Sequence, residues 1–546
     1  MMADQPDQPF TDTTPYGLGE DNSITDVTEN AAITHHVVTI GDNTVAYTAR
    51  AGHLVTADPS TALPVAKFFY VSFTADGMDS TRPVTFFYNG GPGASAIFVL
   101  LGSFAPRRIK TKMPSFTPTP YQLEDNADSL LDRSDLVFIN PVGTGYSAAI
   151  APKTNKDFWG VDEDAGSIAE FIKRYLTVFD RWNSPKFLFG ESYGTARSCV
   201  VAWKLHEDGV ELDGVILQSS ILDYALNSDP GTTARVIDSA VGLLPTLAAD
   251  AWYHQKINVA PRPPLRTFMD TVTKFANGPF RRALTDFPKI DQTVLQTLSD
   301  YLGVSPAALT FFGLNVGSPP KPGLGLGNVF LTNLLLDRGL ALGAYDGRVT
   351  ALDTGIVSSM PPDTTNDPTI TASNGVYMAT WNYYLNGELK FKATSPFPGL
   401  NDTANSKWKF IHTDPTGAQT GSNNLNTAGD LEAAMALNPY LKVFSANGYY
   451  DCVTPFFQTV LTLENMLRED EALRANLTIR CYPSGHMIYL DDDSRTAMKA
   501  DLVKFYESAQ ARVAVPLAKR ISRAQSWKRK LKPKKPAFAR AGALLK

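Results

Sequence analysis

The chain has 546 residues, of which 19% are charged and 43% hydrophobic, and its formal net charge is −5. This composition fits an ordinary soluble globular protein. Three cysteines exclude a disulfide framework, and no stretch approaches the roughly 20 apolar residues that a membrane-spanning helix needs. A chain of this length forms one large domain with insertions or several ordinary domains.

The first 31 residues are acidic and have no apolar run that could serve as a signal peptide. We expect residues 1–31 to be disordered. We also expect a cytoplasmic protein, unless an export segment was removed, in which case the chain is secreted or periplasmic.

Short β-patterned runs in residues 34–72 alternate with turn residues and predict an antiparallel start to a sheet. Later apolar runs are short and do not alternate, which is typical of strands buried on both faces. Helix-period stretches lie between them, at residues 162–179 and 196–206 among others. The short apolar runs that predict strands are at residues 84–88, 135–140, 186–190, 214–218, 441–448 and 477–485. The alternation predicts an α/β fold with a mostly parallel sheet and helices on both faces.

The strand–helix rhythm breaks in a Pro- and Gly-rich region, which we interpret as a large, partly helical cap inserted over the sheet. The expected division has a first core part at residues 32–222, the cap at 223–440, a second core part at 441–510 and a basic tail at 511–546. The tail carries 12 Lys or Arg residues and no acid. It is either an arm for an acidic surface or a solvated end.

The segment Gly190-Glu191-Ser192-Tyr193-Gly194 matches the pattern G-x-S-x-G. An apolar strand precedes it and an amphipathic helix follows, as in the nucleophile elbow of α/β-hydrolases. The flanking glycines permit the strained turn that exposes the hydroxyl. We therefore predict that Ser192 is a nucleophile.

Acyl transfer also needs backbone N–H groups that stabilise the developing oxyanion. In an α/β-hydrolase one comes from the residue after the nucleophile, which is Tyr193 here. The other comes from a Gly-rich loop after an earlier strand, and residues 89–93 (NGGPG) follow such a strand. We predict that the Gly91 amide is this second donor.

His486 is the histidine that lies in a loop after a late strand, where the chain order Ser, acid, His requires the base. Asp451 follows the preceding predicted strand and is expected to orient the imidazole. Asp430 and the acids at residues 491–493 are rival candidates for this role.

In four separated places the sequence resembles the serine carboxypeptidases, peptidase family S10 of the α/β-hydrolase superfamily. The matching segments are FFYNGGPG (86–93), NPVGTGYS (140–147), GESYGT (190–195), and the pair NGYYDCVTP (447–455) with SGHMIYLD (484–491). The resemblance implies an α/β-hydrolase fold, the triad Ser192, Asp451 and His486, and release of one C-terminal residue through an acyl-enzyme.

The resemblance further implies that the substrate carboxylate is held by Asn89 and Gly90 of the glycine loop and by Glu191. Two carboxylates cannot both be ionised at close range, so Glu191 must be protonated and an acidic optimum is expected. A second family Glu is replaced by Ser103 in this chain. Arg107 and Arg108 follow it, and an arginine fork is one alternative carboxylate site.

The sequence thus predicts a serine carboxypeptidase that acts on peptides with a free C-terminus. Two alternatives stay open, an esterase or acyltransferase with the same triad and a non-catalytic binding or protective partner. No motif indicates a metal or organic cofactor, nucleic acid or a transmembrane segment. The basic tail is expected to contact an acidic surface if it has a partner, and a homodimer is a further expectation.

Overall fold

A computed structural model describes residues 6–226, 233–317, 326–353, 366–421, 424–467 and 471–511. Over these ranges, no helix combines the length and the apolarity needed to cross a bilayer. In chain order the strands are β1 (Phe10–Asp12), β2 (Ala31–Ile40), β3 (Asn43–Ala57), β4 (Pro64–Ala75), β5 (Val84–Tyr88), β6 (Arg107–Ile109), β7 (Leu123–Asp125), β8 (Asp135–Ile139), β9 (Ala148–Ala149), β10 (Lys186–Glu191), β11 (Gly214–Gln218), β12 (Leu340–Leu342), β13 (Thr350–Leu352), β14 (Phe391–Ala393), β15 (His412–Thr413), β16 (Gln419–Thr420), β17 (Lys442–Gly448) and β18 (Leu477–Tyr482).

The central sheet has ten strands in the order β18-β17-β11-β10-β5-β8-β4-β3-β2, with β9 paired to β4. Within this order, β18, β17, β11, β10, β5 and β8 pair in parallel. Strands β2, β3 and β4 form an antiparallel edge, and β4 pairs antiparallel with β8. The predicted sheet, including its antiparallel start, is confirmed. Strands β5, β8, β10 and β11 are buried at every residue, which explains their unalternating apolar sequences.

The helices, again in chain order, are α1 (Ile97–Gly102), α2 (Val161–Val178), α3 (Tyr193–Glu207), α4 (Thr233–Tyr253), α5 (Leu265–Phe275), α6 (Arg281–Asp286), α7 (Gln292–Leu302), α8 (Pro306–Phe311), α9 (Leu326–Asn333), α10 (Pro368–Gly387), α11 (Asp402–Lys407), α12 (Ala428–Leu437), α13 (Phe456–Met466), α14 (Glu471–Arg474) and α15 (Asp492–Gln510). Successive residues of a strand point to opposite faces of the sheet. Phe87 of β5 accordingly packs with α1, α10 and α15. Its neighbours Phe86 and Tyr88 pack with α2, α3 and α12 on the other face. Helices therefore cover both faces, and the α/β-hydrolase fold is confirmed.

A third apolar cluster is formed mainly by α4, α5 and α7 with the C-terminal part of the chain, where Tyr450 and Phe456 join it. This cluster is the core of the cap. The predicted insertion at residues 223–440 is not uniform, however. Helices α10 and α12 lie within it and yet pack in the clusters on the sheet faces. Sequence texture alone did not separate them from the cap.

The prediction that residues 1–31 are disordered fails for the described residues from 6 onward. Strand β1 pairs in parallel with β14, almost 400 residues away in sequence. The Tyr16 hydroxyl donates to Asp12 at 2.7 Å, and the Ile24 N–H donates to the Ala149 carbonyl at 2.9 Å. The β1–β14 pairing and the Ile24–Ala149 contact are long-range in sequence, so the local composition could not reveal them. The basic tail from residue 512 onward lies outside the described residues.

The parallel strands place the expected site residues at one edge of the sheet. Asn89 follows β5, and Glu191 ends β10 directly before Ser192. Asp451 lies three residues beyond β17, and His486 lies four residues beyond β18. Because β17 and β18 are hydrogen-bonded neighbours, the loops that follow them lie side by side.

Candidate active site

Ser192 lies at the sharp turn between β10 and α3, with φ 60° and ψ −129°. A non-glycine residue rarely adopts a positive φ, and such strain is concentrated at functional sites. The glycines on either side make the turn sterically feasible. A Cβ atom at Gly190 would lie 2.2 Å from the carbonyl oxygen of Gly194. The geometry is that of a nucleophile elbow.

Two backbone segments next to Ser192 carry the predicted oxyanion donors. Tyr193 is the first residue of α3, and N–H groups in the first turn of a helix have no acceptor within it. The glycine loop packs directly on this turn, because a Cβ at Gly90 would lie 2.4 Å from the Tyr193 nitrogen. Gly91 has φ 101°, which favours glycine. Gly91 and Ser192 line the same cavity.

His486 and Asp451 form a buried hydrogen-bonded pair. The distance between His486 Nδ1 and Asp451 Oδ2 is 2.8 Å. A proton on Nδ1 that points to the carboxylate leaves Nε2 as the acceptor, which is the form a general base needs. Burial acts to lower the pKa of His486, but Asp451, together with Glu191 and Asp367, outweighs burial and the pKa is raised overall.

Asp451 is itself oriented by the residues that follow it. Its Oδ1 accepts hydrogen bonds from the Val453 and Thr454 N–H groups, both at 2.9 Å. The Thr454 hydroxyl donates to Oδ2 at 2.5 Å and lies 3.2 Å from His486 Nδ1. The carboxylate therefore has a fixed orientation toward the imidazole.

Two of the rival acids, Asp430 and Asp491, are engaged elsewhere. Asp430 lies 2.9 Å from Nε2 of His412, whose Nδ1 lies 2.5 Å from Asp162. Asp491 caps α15 by accepting from the Ser494 N–H and forms an ion pair with Arg348. The geometry thus favours Asp451 as the partner of His486.

Glu191 and Asn89 meet beside Ser192, as the carboxylate-site prediction requires. The Asn89 amide donates to Glu191 Oε1 at 2.8 Å, and its own oxygen accepts from the Val99 N–H at 3.0 Å. The Gln218 amide donates to Glu191 Oε2 at 2.6 Å. Burial raises the pKa of Glu191 to about 7, although His486 and the Tyr489 hydroxyl act in the opposite direction. A protonated Glu191 is therefore accessible at mildly acidic pH.

These groups open into one cavity with a volume of about 120 Å³. Its polar part contains Ser192, His486, Glu191 and Asn89, and the glycine loop forms one side. The remaining wall is largely apolar. It includes Phe98, Tyr345, Ile370, Leu400, Val453 and Met487. A ligand with a polar end and an apolar side chain fits this lining.

The alternative prediction, that Arg107 and Arg108 form the carboxylate site, is wrong. Arg107 donates to Glu388 at 3.0 and 2.9 Å and to Asp125, and Arg108 pairs with Glu124 and Asp492. Neither residue lines the cavity described above. Their acidic partners come from distant parts of the chain, so the local sequence could not indicate that both arginines are already paired.

Ser103 occupies a buried position at the end of α1, where its hydroxyl donates to the Val99 carbonyl. It satisfies a helix-terminal carbonyl and does not line the cavity. The cavity lining consequently contains one buried acid beside the nucleophile, Glu191, which is held by two amides.

Sequence reasoning missed three residues that shape the site: Gln218, Tyr345 and Thr454. Thr454 lies within the matching segment at residues 447–455, so its spacing to Asp451 was a usable signal. Gln218 ends β11, beside the nucleophile strand, and this position also follows from the strand pattern. Tyr345 packs edge-on against the His486 ring at 5.1 Å and comes from the cap, where no sequence pattern pointed to it.

Comparison with known proteins gives a consistent picture. Residues 41–227 match the family described as serine carboxypeptidase. The chain is 26% identical over 177 residues to serine carboxypeptidase-like 1 of Arabidopsis thaliana, a match that covers 30% of this chain and 38% of that protein. It is 28% identical to the pheromone-processing carboxypeptidase KEX1 of Saccharomyces cerevisiae, over 23% of this chain and 18% of that protein. The matches thus span well under half the length of these relatives.

Among solved structures, the chain is similar to KEX1 of Saccharomyces cerevisiae, described as a prohormone-processing carboxypeptidase. The sequence identity is 15%, the TM-score is 0.48, and the match covers 84% of this chain and 91% of that one. The expectation of a cytoplasmic protein is wrong, because the serine carboxypeptidases to which the chain is similar are secreted, vacuolar or Golgi enzymes. That expectation rested on the composition of residues 1–31, which does not determine the compartment.

Proposed function

Since residues 41–227 place the chain in the serine carboxypeptidase family, we propose that it hydrolyses the C-terminal peptide bond of peptides. Ser192 is the nucleophile, His486 the general base and Asp451 its orienting acid. Tyr193 and Gly91 supply the oxyanion N–H groups. Asn89, Gly90 and Glu191 bind the terminal carboxylate.

The observation that carries this proposal is the strained Ser192 backbone at a cavity that His486 also lines, with the imidazole hydrogen-bonded to the buried Asp451. A strained serine alone supports any nucleophile elbow, and a buried His–Asp pair alone has structural uses. Together with a buried carboxyl whose pKa is raised to about 7 one residue from the nucleophile, they support acyl transfer at a substrate end that is itself anionic.

In the proposed reaction, Ser192 Oγ attacks the carbonyl carbon of the last peptide bond while His486 Nε2 takes the hydroxyl proton. The C–N bond then breaks, and His486 gives that proton to the departing amino group, which frees one amino acid. Water attacks the resulting ester, again with proton transfer through His486, and releases the shortened peptide. The oxyanion of each tetrahedral intermediate is stabilised by the Tyr193 and Gly91 N–H groups.

Recognition of a free C-terminus follows from the Glu191 site. The Asn89 amide is held in orientation by the Val99 N–H, which binds its oxygen, so its NH₂ group points to Glu191. A protonated Glu191 can donate its proton to an incoming carboxylate. An ionised Glu191 would repel that carboxylate, since like charges in a buried site cannot both persist.

Steady-state kinetics with one peptide and its C-terminal amide test this proposal. We expect the free acid to be cleaved with a kcat/KM at least about 100-fold above that of the amide, because the amide leaves the buried carboxylate site unpaired. The same sequence in both substrates isolates the terminal group. Equal cleavage of both peptides would contradict recognition of the carboxylate.

A serine esterase or acyltransferase is the second candidate, and it is favoured by Ser103 in place of a second acid. The triad would be unchanged, but binding would not depend on a carboxylate. A neutral ester hydrolysed efficiently, with neither peptide cleaved, would establish this alternative. A non-catalytic partner would require that Ser192→Ala protein keep its full biological function.

A further inference from the structure

A short cap segment at residues 344–348, between β12 and β13, packs against both loops that carry Asp451 and His486. On the acid side, the Cys452 N–H donates to the Ala344 carbonyl and the Gly347 N–H donates to the Tyr450 carbonyl, both at 2.9 Å. Tyr450 and Cys452 are the residues directly before and after Asp451. The segment therefore holds the backbone on both sides of the acid.

The same segment binds the base. The His486 N–H donates to the Tyr345 carbonyl at 2.6 Å, and the Tyr345 ring packs edge-on against the imidazole. The approach leaves no room for a side chain at the residue before His486. A Cβ at Gly485 would lie 2.4 Å from the Asp346 Cβ and 2.5 Å from the Tyr345 carbonyl oxygen.

Arg348 fastens this segment to the His486 loop. Its guanidinium binds both oxygens of Asp346, at 3.0 and 2.8 Å. It also donates to the Pro483 carbonyl at 2.9 Å and to Asp491 at 2.8 Å, on either side of His486 in the sequence. Arg348 is only 8% exposed, so these charges interact in a poorly solvated environment.

From these contacts we infer that the cap segment at residues 344–348 sets the geometry of the acid–base pair, and that Arg348 is a positioning residue for catalysis. Arg348 is not among the residues that line the cavity, so it acts through the two loops. The inference rests on the proposed function of the triad. It also assigns the cap a role in alignment, in addition to covering the sheet.

Arg348 is inferred to act by fixing the distance between the His486 imidazole and the Ser192 hydroxyl. General-base catalysis requires the imidazole within hydrogen-bond reach of the hydroxyl, and a displacement of about 1 Å can cost about 100-fold in rate. Removing Arg348 would leave Asp346 and Asp491 without their shared cation. The His486 loop would then lose the ion pair that ties it to the segment. The Asp451 loop would lose the contact between the guanidinium and the Tyr450 ring, whose centroid lies 5.1 Å away.

The test uses the full chain and a fluorophosphonate, which reports on Ser192 whatever the natural substrate is. Ser192 Oγ forms a bond to phosphorus, the P–F bond breaks, and His486 takes the hydroxyl proton. The second-order rate constant is measured for wild type, Arg348→Met, Arg348→Lys and Arg181→Met. Arg181 is a matched control, because it is 5% exposed and paired with Asp135 at 2.6 Å far from the site.

We expect Arg348→Met to lower the rate constant by about 10- to 100-fold per folded molecule. The rate constant of Arg348→Lys should lie between those of wild type and Arg348→Met. Arg181→Met should stay within about twofold of wild type even where it lowers stability. With a peptide substrate, the loss should fall on kcat and leave KM unchanged. A folded Arg348→Met protein that reacts at the wild-type rate would overturn the inference.

Three further outcomes are covered by the same design. Should Arg348→Met not fold, Asp346→Asn is judged by the same criterion, because it removes one acid of the clamp and keeps the arginine. A wild-type protein that reacts with the fluorophosphonate but cleaves no peptide refutes the proposed peptidase activity, and the variants still measure the positioning role. A wild-type protein that does not react refutes the triad and the inference together.

Discussion

In the proposed function, the charge state of Glu191 decides whether a substrate carboxylate can bind. Glu191 is buried beside Ser192, between the Asn89 and Gln218 amides, and its pKa is raised to about 7. Its folded pKa therefore lies within the working range of an enzyme. His486 needs the opposite state, because it must be neutral to act as a base, and its pKa is also raised. The proposed roles therefore imply that binding favours lower pH and proton transfer favours higher pH.

The first prediction concerns KM. In wild type, KM for a free-acid peptide should be constant well below pH 7 and rise by up to about tenfold per pH unit above it, as Glu191 ionises. In Glu191→Gln this rise should disappear, since the amide cannot ionise. Steady-state kinetics across about pH 5 to 9 decide the matter, and a KM that rises equally in both proteins would argue against Glu191.

The second prediction distinguishes the two buried His–Asp pairs. Asp451→Asn should lower kcat by about 10⁴-fold, because an amide at this position favours the wrong tautomer of His486. Asp430→Asn, a change of the same size in the pair with His412, should leave kcat of the folded protein within a few-fold. The reverse order would show that the wrong acid has been assigned.

At the scale of elements, the site is built from loops that follow parallel strands and are held by close backbone contacts. Gly448 and Gly485 show how tight these contacts are, since a Cβ at Gly448 would lie 2.2 Å from the Gly485 carbonyl oxygen. The cap segment at residues 344–348 also packs on Gly485, since a Cβ there would lie 2.5 Å from the Tyr345 carbonyl oxygen. Three backbones meet where Asp451 and His486 are held together.

The third prediction follows from this crowding. Gly485→Ala should lower the free energy of unfolding by about 1–3 kcal/mol and reduce kcat, because the new methyl group would overlap Asp346 and Tyr345. Gly166→Ala is the control, since Gly166 lies within α2 with no neighbour within 4 Å of an added Cβ. Its substitution should stabilise by about 1 kcal/mol. Urea unfolding of both variants measures the difference, and a neutral Gly485→Ala would contradict the packing argument.

The elements that sequence predicted well are those whose signals are local. The buried strand at residues 84–88 has the predicted bounds, and the helix predicted at residues 162–179 differs by one residue at each end. Ser192 was predictable as the nucleophile because the elbow needs small residues at fixed positions in the sequence. The 344–348 segment was not, because its role depends on contacts with loops about 100 residues later in the chain. The fold of residues 6–31 escaped for the same reason, since β1 pairs with a strand near residue 391.

On the scale of the whole molecule, His412 joins parts of the chain that are distant in sequence. It lies between Asp162, in the first turn of α2, and Asp430, in the first turn of α12. Burial acts to lower its pKa, but the two carboxylates raise it to about 9. His412 is therefore a buried cation that connects two helices on one face of the sheet.

The fourth prediction concerns stability at alkaline pH. The folded pKa of His412 exceeds its ordinary value of 6.5, so its contribution is complete below about pH 6.5 and is lost as pH rises through about 9. The free energy of unfolding should fall by on the order of 2 kcal/mol across this range. His412→Gln should flatten the pH dependence of the unfolding free energy. His206→Gln is the control, because His206 pairs with Glu211 near the surface, and this variant should keep the wild-type pH dependence. A wild-type stability that does not change between pH 6.5 and 9 would contradict this account.

The central claim of the proposed function is that Ser192 removes single residues from free peptide C-termini. Mass spectrometry of an unblocked peptide and its C-terminal amide, incubated with wild-type and Ser192→Ala protein at mildly acidic pH, tests it most directly. We predict stepwise loss of single C-terminal residues from the unblocked peptide, only with the wild-type protein. Internal cleavage, equal trimming of the amide, or trimming by Ser192→Ala protein would contradict the account.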